Sequence, residues 1–150
     1  MEVKYCPACQ QSKPLTEFGK NQRNKDQHQP ICRVCFNKYQ KQYGLTPRGR
    51  YYKLKDNCWT SGRAVEINVD AFIAWYKAQP KTCYYCGVEL VNGGARSGFT
   101  SLTIDRKDNN QKYTLENIVL ACRRCNLMKG NWLTEQQTLE IAERYFKEYS

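Results

Sequence analysis

The sequence predicts a small α+β chain stapled by zinc, and three features carry that prediction. Of its nine cysteines, all but Cys58 fall into four C-x-x-C pairs, the spacing at which two thiolates reach one tetrahedral metal. Two short strand-like runs, Leu102–Arg106 and Asn117–Ala121, lead straight into the last of these pairs and a helix start at Asn126. Third, 41% hydrophobic residues in a chain of 150, at a mean hydropathy of −0.79, are too few for a large core. Metal has to help, and each structural zinc contributes on the order of 10 kcal/mol of folding free energy.

Residues 1–44 read as a first, treble-clef-like zinc module. The knuckle Cys6-Pro7-Ala8-Cys9 precedes an excursion through Phe18, a polar loop over 20–30 and a second knuckle, Cys32-Arg33-Val34-Cys35. The second knuckle opens a helix near Cys35, and Leu15, Phe18 and Ile31 are the expected minimal core. The single histidine, His28, lies in polar NKDQHQP surroundings, and Cys6, Cys9, Cys32 and Cys35 already complete a site without it. It reads as a solvated loop residue or a contact to a nucleic-acid backbone rather than a ligand.

Residues 45–80 form a basic and aromatic linker with a helix. Thr46-Pro47-Arg48-Gly49 breaks the preceding helix, and helix resumes over Tyr51–Gly62. Between 33 and 63 stand Arg33, Lys38, Lys41, Arg48, Arg50, Lys53, Lys55 and Arg63 against one acid, Asp56, interleaved with Tyr39, Tyr43, Tyr51, Tyr52 and Trp59. A charge run of mixed sign is a solvated face. One sign with interleaved aromatics suits phosphate tracking and base stacking. Asn68-Val69-Asp70 starts the next helix, whose Ala71, Phe72, Trp75 and Tyr76 recur at helical spacing as core before Pro80. Cys58 reads as a small buried hydrophobe.

Residues 81–150 carry the remaining pairs, Cys83/Cys86 and Cys122/Cys125, which complete a second four-thiolate site as Cys6/Cys9/Cys32/Cys35 complete the first. The turn-rich stretch around Asn92-Gly93-Gly94 and Ser97-Gly98, with Arg96, returns the chain to the first strand. Asp105 ends that strand and Asn126 starts the helix, so the two suit a hard cation beside the zinc. Thr134 caps a final helix with two apolar stripes, Leu139/Ala142/Phe146 and Ile141/Tyr145, expected to pack on the Phe72/Trp75 helix or on a partner subunit.

The chain carries 24 Lys+Arg against 14 Asp+Glu, a formal net charge of +10, which favours a polyanionic partner. No run is long or apolar enough for a membrane span, and no basic amphipathic helix with an apolar back suggests a membrane surface. Met1-Glu2-Val3-Lys4-Tyr5 enters a cysteine knuckle without the apolar core of a secretory signal. A cytoplasmic location with reduced thiols is expected.

At Asp105-Arg106, Asn117 and Cys122-Arg123-Arg124-Cys125-Asn126 the sequence resembles the HNH, or ββα-metal, endonucleases. The elements Ile104-Asp105-Arg106-x-Asp108-Asn109 and Cys125-Asn126-x-x-Lys129 are similar to those of phage-type members. A restriction-enzyme branch resembles nearly the whole chain, including Glu17-Phe18, the Ala71–Tyr76 helix, Cys83-Tyr84-Tyr85-Cys86-Gly87 and Tyr113. The resemblance implies a ββα nuclease core that hydrolyses phosphodiesters in double-stranded DNA. Asp105 and Asn126 would hold a catalytic divalent cation, Mg²⁺, and Asn117 would brace the loop after Asp105. It also implies a bacterial or phage-infected cell. The restriction branch implies a homodimer cutting both strands of a palindrome, and the phage branch a homing or packaging nuclease.

Arg106 departs from the family, which places its general-base histidine there, and arginine is never a proton acceptor. The restriction branch shares Asp-Arg and uses a tyrosine, which matches Tyr85. With an ordinary pKa near 10, that phenol needs a cation beside it, and Arg106 is expected as activator or phosphate clamp. Tyr85 packing over the zinc knuckle, Tyr113 as base, and a phosphate-assisted reaction are the alternatives. The missing histidine also motivates a DNA-binding zinc module with an inactive site, and no feature of the sequence excludes RNA as substrate.

Overall fold

The computed structural model describes residues 2–93 and 98–146; Arg96 lies outside them. The chain divides into two compact units, Met1–Tyr43 and Gly44–Ser150.

In the first unit, β1 (Val3–Cys6) pairs antiparallel with β2 (Gln11–Pro14), and Cys6 faces Gln11 across the turn that carries Cys9. A second hairpin joins β3 (Phe18–Lys20) to β4 (His28–Cys32), which runs into α1 (Arg33–Tyr43). The helix therefore starts two residues before the expected Cys35. Among the described residues of this unit, the buried apolar ones are Cys6, Phe18 and Cys32, with Cys9, Ile31 and Cys35 packed on them. Leu15 is not among them, because it sits in a 3-10 turn (Leu15–Glu17) with no buried residue. Helix α1 likewise buries no side chain, so this unit has almost nothing apolar to hold it except what gathers round its thiols.

The second unit begins with α2 (Pro47–Thr60). The preceding helix ends at Tyr43, and Thr46-Pro47-Arg48-Gly49, expected only as a break before a helix over Tyr51–Gly62, itself caps and starts that helix, which ends at Thr60. Thr46 Oγ1 accepts from Gly49 N at 3.0 Å. Pro47 occupies the first turn, where its missing N–H costs nothing and its fixed φ suits the helix. Helix α3 (Val69–Ala78) is capped by Asn68, whose side chain accepts from Ala71 N at 2.8 Å. Tyr51, Leu54 and Cys58 of α2 and Phe72 and Tyr76 of α3 form one side of the core.

Beyond the Cys83/Cys86 knuckle, β5 (Leu102–Arg106) pairs antiparallel with β6 (Ile118–Cys122), with Asp105 opposite Val119. The second strand is shifted by one residue from the expected Asn117–Ala121. All five of its residues are buried. α4 (Arg123–Lys129) then starts a turn earlier than Asn126, with Cys122 as its cap. Finally α5 (Glu135–Phe146) follows Thr134, whose Oγ1 accepts from Gln137 N at 3.2 Å. It buries Thr138 and Ala142 and lies against α4 rather than α3, the Arg124 guanidinium standing 4.1 Å from the Phe146 ring centroid. Of the second expected stripe, Tyr145 is exposed. No helix of the described residues is long and apolar enough to cross a membrane.

Candidate metal and active site

Each set of four cysteines converges. In both Cys6/Cys9/Cys32/Cys35 and Cys83/Cys86/Cys122/Cys125 the sulfurs all lie within 4.8 Å of one another. Four thiolates about 2.3 Å from a tetrahedral zinc have sulfur–sulfur edges of roughly 3.8 Å, and Cys86 and Cys122 are 3.8 Å apart. Without a cation the thiols divide their protons unequally. Hydrogen bonds from neighbouring cysteines pull Cys83 down to about 2, while Cys122 pushes Cys125 far above the ordinary range. In the first set, the Cys32 amide lowers Cys6 to about 6 and the Cys32 thiol raises Cys35 to about 12. Four sulfurs so close cannot all ionise without a positive ion among them, and that donor chemistry fits a soft or borderline dication.

The second cluster fixes the helix that builds the adjoining site. Cys122 Sγ accepts from Cys125 N at 3.4 Å and so caps α4. Residues 122, 125, 126 and 129 follow the i, i+3, i+4, i+7 pattern of a single helical stripe, so the side that bears the thiols also bears Asn126 and Lys129. Thr103 and Asp105 share one face of β5 by the two-residue period of a strand, and the two faces meet. Asn126 Nδ2 donates to Thr103 Oγ1 at 3.0 Å, so its carbonyl oxygen is the atom of the amide that could serve a cation. Lys129 Nζ stands 3.5 Å from Asp105 Oδ2. The same Oδ2 accepts from the Tyr85 hydroxyl at 2.7 Å, delivered by the knuckle between Cys83 and Cys86.

Asp105 is buried, and burial raises its pKa above 3.8 against the opposing pull of Tyr85 and Lys129. Tyr85 is raised well above 10, first by burial and then by the charge of Asp105. The expected activation by Arg106 is not built into this arrangement. Its guanidinium donates to Gln111 O at 2.8 Å and stands 5.0 Å from the Tyr113 ring centroid. Arg106 is itself buried, so it braces the loop after β5 instead of reaching toward Tyr85. Tyr113 is buried as the platform of that stack, bridged to Val65, with its own pKa raised by burial.

Asn117 lies just before β6 and spans the same loop. Its Oδ1 accepts from Asp108 N at 2.9 Å, and its Nδ2 donates to Asp108 O at 3.0 Å and Lys112 O at 2.9 Å. Sequence reasoning gave Lys129 and Asn109 no role, although both lie in the family-like elements. Lys129 Nζ donates to Arg106 O at 2.8 Å and Asn109 Oδ1 at 2.9 Å, so it ties the two elements together. The only available signal was their joint occurrence.

Of the basic residues, Arg33, Lys38 and Lys41 are exposed on α1, and Arg48, Lys53, Lys55 and Arg63 are exposed on or just beyond α2. Arg48 lies 3.6 Å from Asp70, and Arg63 Nε donates to Ser61 Oγ at 2.7 Å. Arg50 differs from the rest. Half-buried, it donates from Nε to Asn92 Oδ1 at 3.2 Å and from Nη1 to Leu102 O at 3.3 Å, which holds the approach to β5 and leaves it unsuited to tracking phosphates. Tyr51 is also spent internally, buried and donating to Ile67 O at 2.9 Å. Trp59 is 88% exposed and Tyr39 and Tyr52 are exposed too. His28 starts β4, its ring Nδ1 2.6 Å from Asp26 O.

Residues 83–131 match the family model of the HNH endonucleases. No curated protein matches the sequence. Among solved structures the chain is similar to the rare-cutting HNH restriction endonuclease PacI, reported for its mechanism of DNA perturbation. The TM-score is 0.56 over 97% of this chain and 94% of that one, at 24% identity, a likeness of fold.

Proposed function

Because residues 83–131 carry an HNH endonuclease domain, we propose that the protein is a metal-dependent, site-specific DNA endonuclease of restriction type, hydrolysing phosphodiesters in both strands of a duplex as a homodimer. The observation that carries this reading is that Tyr85 and Lys129 both face the buried Asp105 while Asn126 of α4 is bonded to Thr103 on the same face of β5, beside a four-cysteine cluster. A DNA-binding zinc module has no need of a buried carboxylate and an oriented carboxamide next to its knuckle.

The two cysteine clusters are assigned to zinc. Asp105 and Asn126 offer the hard oxygen donors that Mg²⁺ prefers. When bound, that ion supplies Lewis-acid stabilisation of the scissile phosphate and the leaving 3′-oxygen. Asn126 is aimed by its bond to Thr103, Asp105 by Tyr85 and Lys129, and the loop behind them by Asn117 and Arg106. Tyr85 is assigned the proton transfer. Burial and the facing carboxylate hold its proton on, so it would accept a proton from water only as the phenolate, after releasing its own proton to solvent, a state that requires the charge of Asp105 to be offset. Exposed Lys53, Lys55, Arg63 and the cations of α1 are assigned to phosphates.

Arg106, standing where the family places its base and spent on Gln111 O and the Tyr113 ring, favours a second reading, a DNA-binding protein whose site no longer cuts. Zinc-loaded protein incubated with mixed plasmid DNA and Mg²⁺ separates the two. Nicking or linearisation by the wild type and none by Asp105→Ala is expected. Retained DNA binding with no cleavage by either selects the inactive module.

A further inference from the structure

Among the described residues Asp105 is the one buried acid, and it is matched by Lys129, which has no exposed surface at all. A buried ammonium is costly unless paired and fully hydrogen-bonded. Lys129 meets both conditions, with Arg106 O at 2.8 Å, Asn109 Oδ1 at 2.9 Å and Asp105 Oδ2 at 3.5 Å. Its two hydrogen bonds go to the backbone oxygen at the end of β5 and to an amide oxygen in the loop that follows, so the ammonium is anchored independently of the carboxylate it faces.

We infer that Lys129 is a positioning residue that makes cation uptake at Asp105 depend on bound DNA. The inference rests on the reading of Asp105 as a cation ligand. Asp105 and Lys129 cancel in charge, and Asn126 adds none. A dication arriving at Asp105 therefore meets no net negative charge from this pair, and a fixed positive charge a few ångströms away repels it. The scissile phosphate supplies the missing negative charge. Binding of cation and of DNA then reinforce each other, and by linkage each raises the affinity for the other by the same factor. Lys129 cannot swing aside to relieve the repulsion, because Arg106 O and Asn109 Oδ1 hold it where it is.

Mn²⁺ binding to zinc-loaded protein, followed by electron paramagnetic resonance with and without a mixed-sequence duplex, tests this. Wild type is expected to bind Mn²⁺ weakly alone and more tightly with DNA. Lys129→Met, similar in shape but uncharged, is expected to bind Mn²⁺ alone roughly tenfold more tightly, the size of a unit charge acting on a dication through a high dielectric at several ångströms. Its gain on adding DNA should shrink, whereas a role confined to holding the loop predicts weaker binding in this variant. Unchanged or weakened Mn²⁺ binding in a folded Lys129→Met protein, with normal zinc content, overturns the inference. Asp105→Asn is measured alongside. If it binds Mn²⁺ like wild type, the assignment of Asp105 as ligand is what has failed. Should Lys129→Met not fold, the Lys129 side-chain ammonium resonance of wild type is followed during Mg²⁺ titration with DNA. A shift that saturates with Mg²⁺ and is absent in Asp105→Asn supports the coupling, and a resonance that does not move rejects it.

Discussion

The hydroxyl of Tyr85 lies 2.7 Å from Asp105 Oδ2 and donates to it. Tyr85→Phe removes that donor and leaves the ring, so the packing against Tyr84, at 5.3 Å between centroids, stays. Cleavage is expected to fall by roughly 10²-fold or more, the scale of a lost general base, with duplex affinity unchanged. Tyr113→Phe should cost far less, because that ring carries Arg106 and does not meet the carboxylate. A severe loss in Tyr113→Phe with a mild one in Tyr85→Phe would reverse the assignment.

Burial raises the Asp105 pKa above 3.8, and protons compete with the divalent cation for the same carboxylate. The sign follows directly: acidification protonates Asp105 in the folded protein at a higher pH than it would an ordinary aspartate. Apparent Mn²⁺ affinity should fall as pH approaches that raised pKa, by about tenfold per unit below it. Titration of Mn²⁺ at a series of pH values measures this. An affinity flat down to the ordinary aspartate range would show that Asp105 is not the ligand.

Arg50 and Lys53 stand three residues apart on α2 with different surroundings. Lys53→Ala should weaken DNA binding and lower the slope of log K against log salt by about 1, with thermal stability unchanged. Arg50→Ala should leave the salt slope alone and lower stability by about 1–3 kcal/mol, since its bonds to Asn92 and Leu102 O are lost. Equal salt effects for the two would place Arg50 on the phosphates after all.

Zinc loss should unfold the units separately. With only Cys6, Phe18 and Cys32 buried in the first, the on the order of 10 kcal/mol a zinc supplies exceeds what that core provides. Cys6→Ser is expected to yield one zinc per chain by elemental analysis and a first unit open to protease. Cys83→Ser should retain one zinc and lose the structure of the second unit. Two zincs in either variant would remove the scaffold argument.

The strand that carries Asp105 was legible to the residue, because alternation and β-branching are local. The start of α4 was missed by a turn, since asparagine is an ordinary cap and the sulfur of Cys122 serves as one only where a metal cluster holds it. Pro47 was misread because the same residue that stops one helix suits the first turn of the next. Composition offered no hint that Lys129 is buried, as lysines are almost always exposed. Its partner Asp105 lies on another element, as does Tyr85, 20 residues away in sequence. Such contacts come from the packing of α4 and of the Cys83/Cys86 knuckle on β5, which no local pattern encodes.

The single helical stripe of Cys122, Cys125, Asn126 and Lys129 makes the scaffold and the chemistry one assembly. If the clusters hold zinc as proposed, a newly made chain without it lacks the brace on the helix that carries Asn126 and Lys129. For a protein that cuts DNA as proposed, this acts as a safety interlock. On that reading the chain would not cut until loaded, and a cell short of zinc would accumulate an unarmed protein.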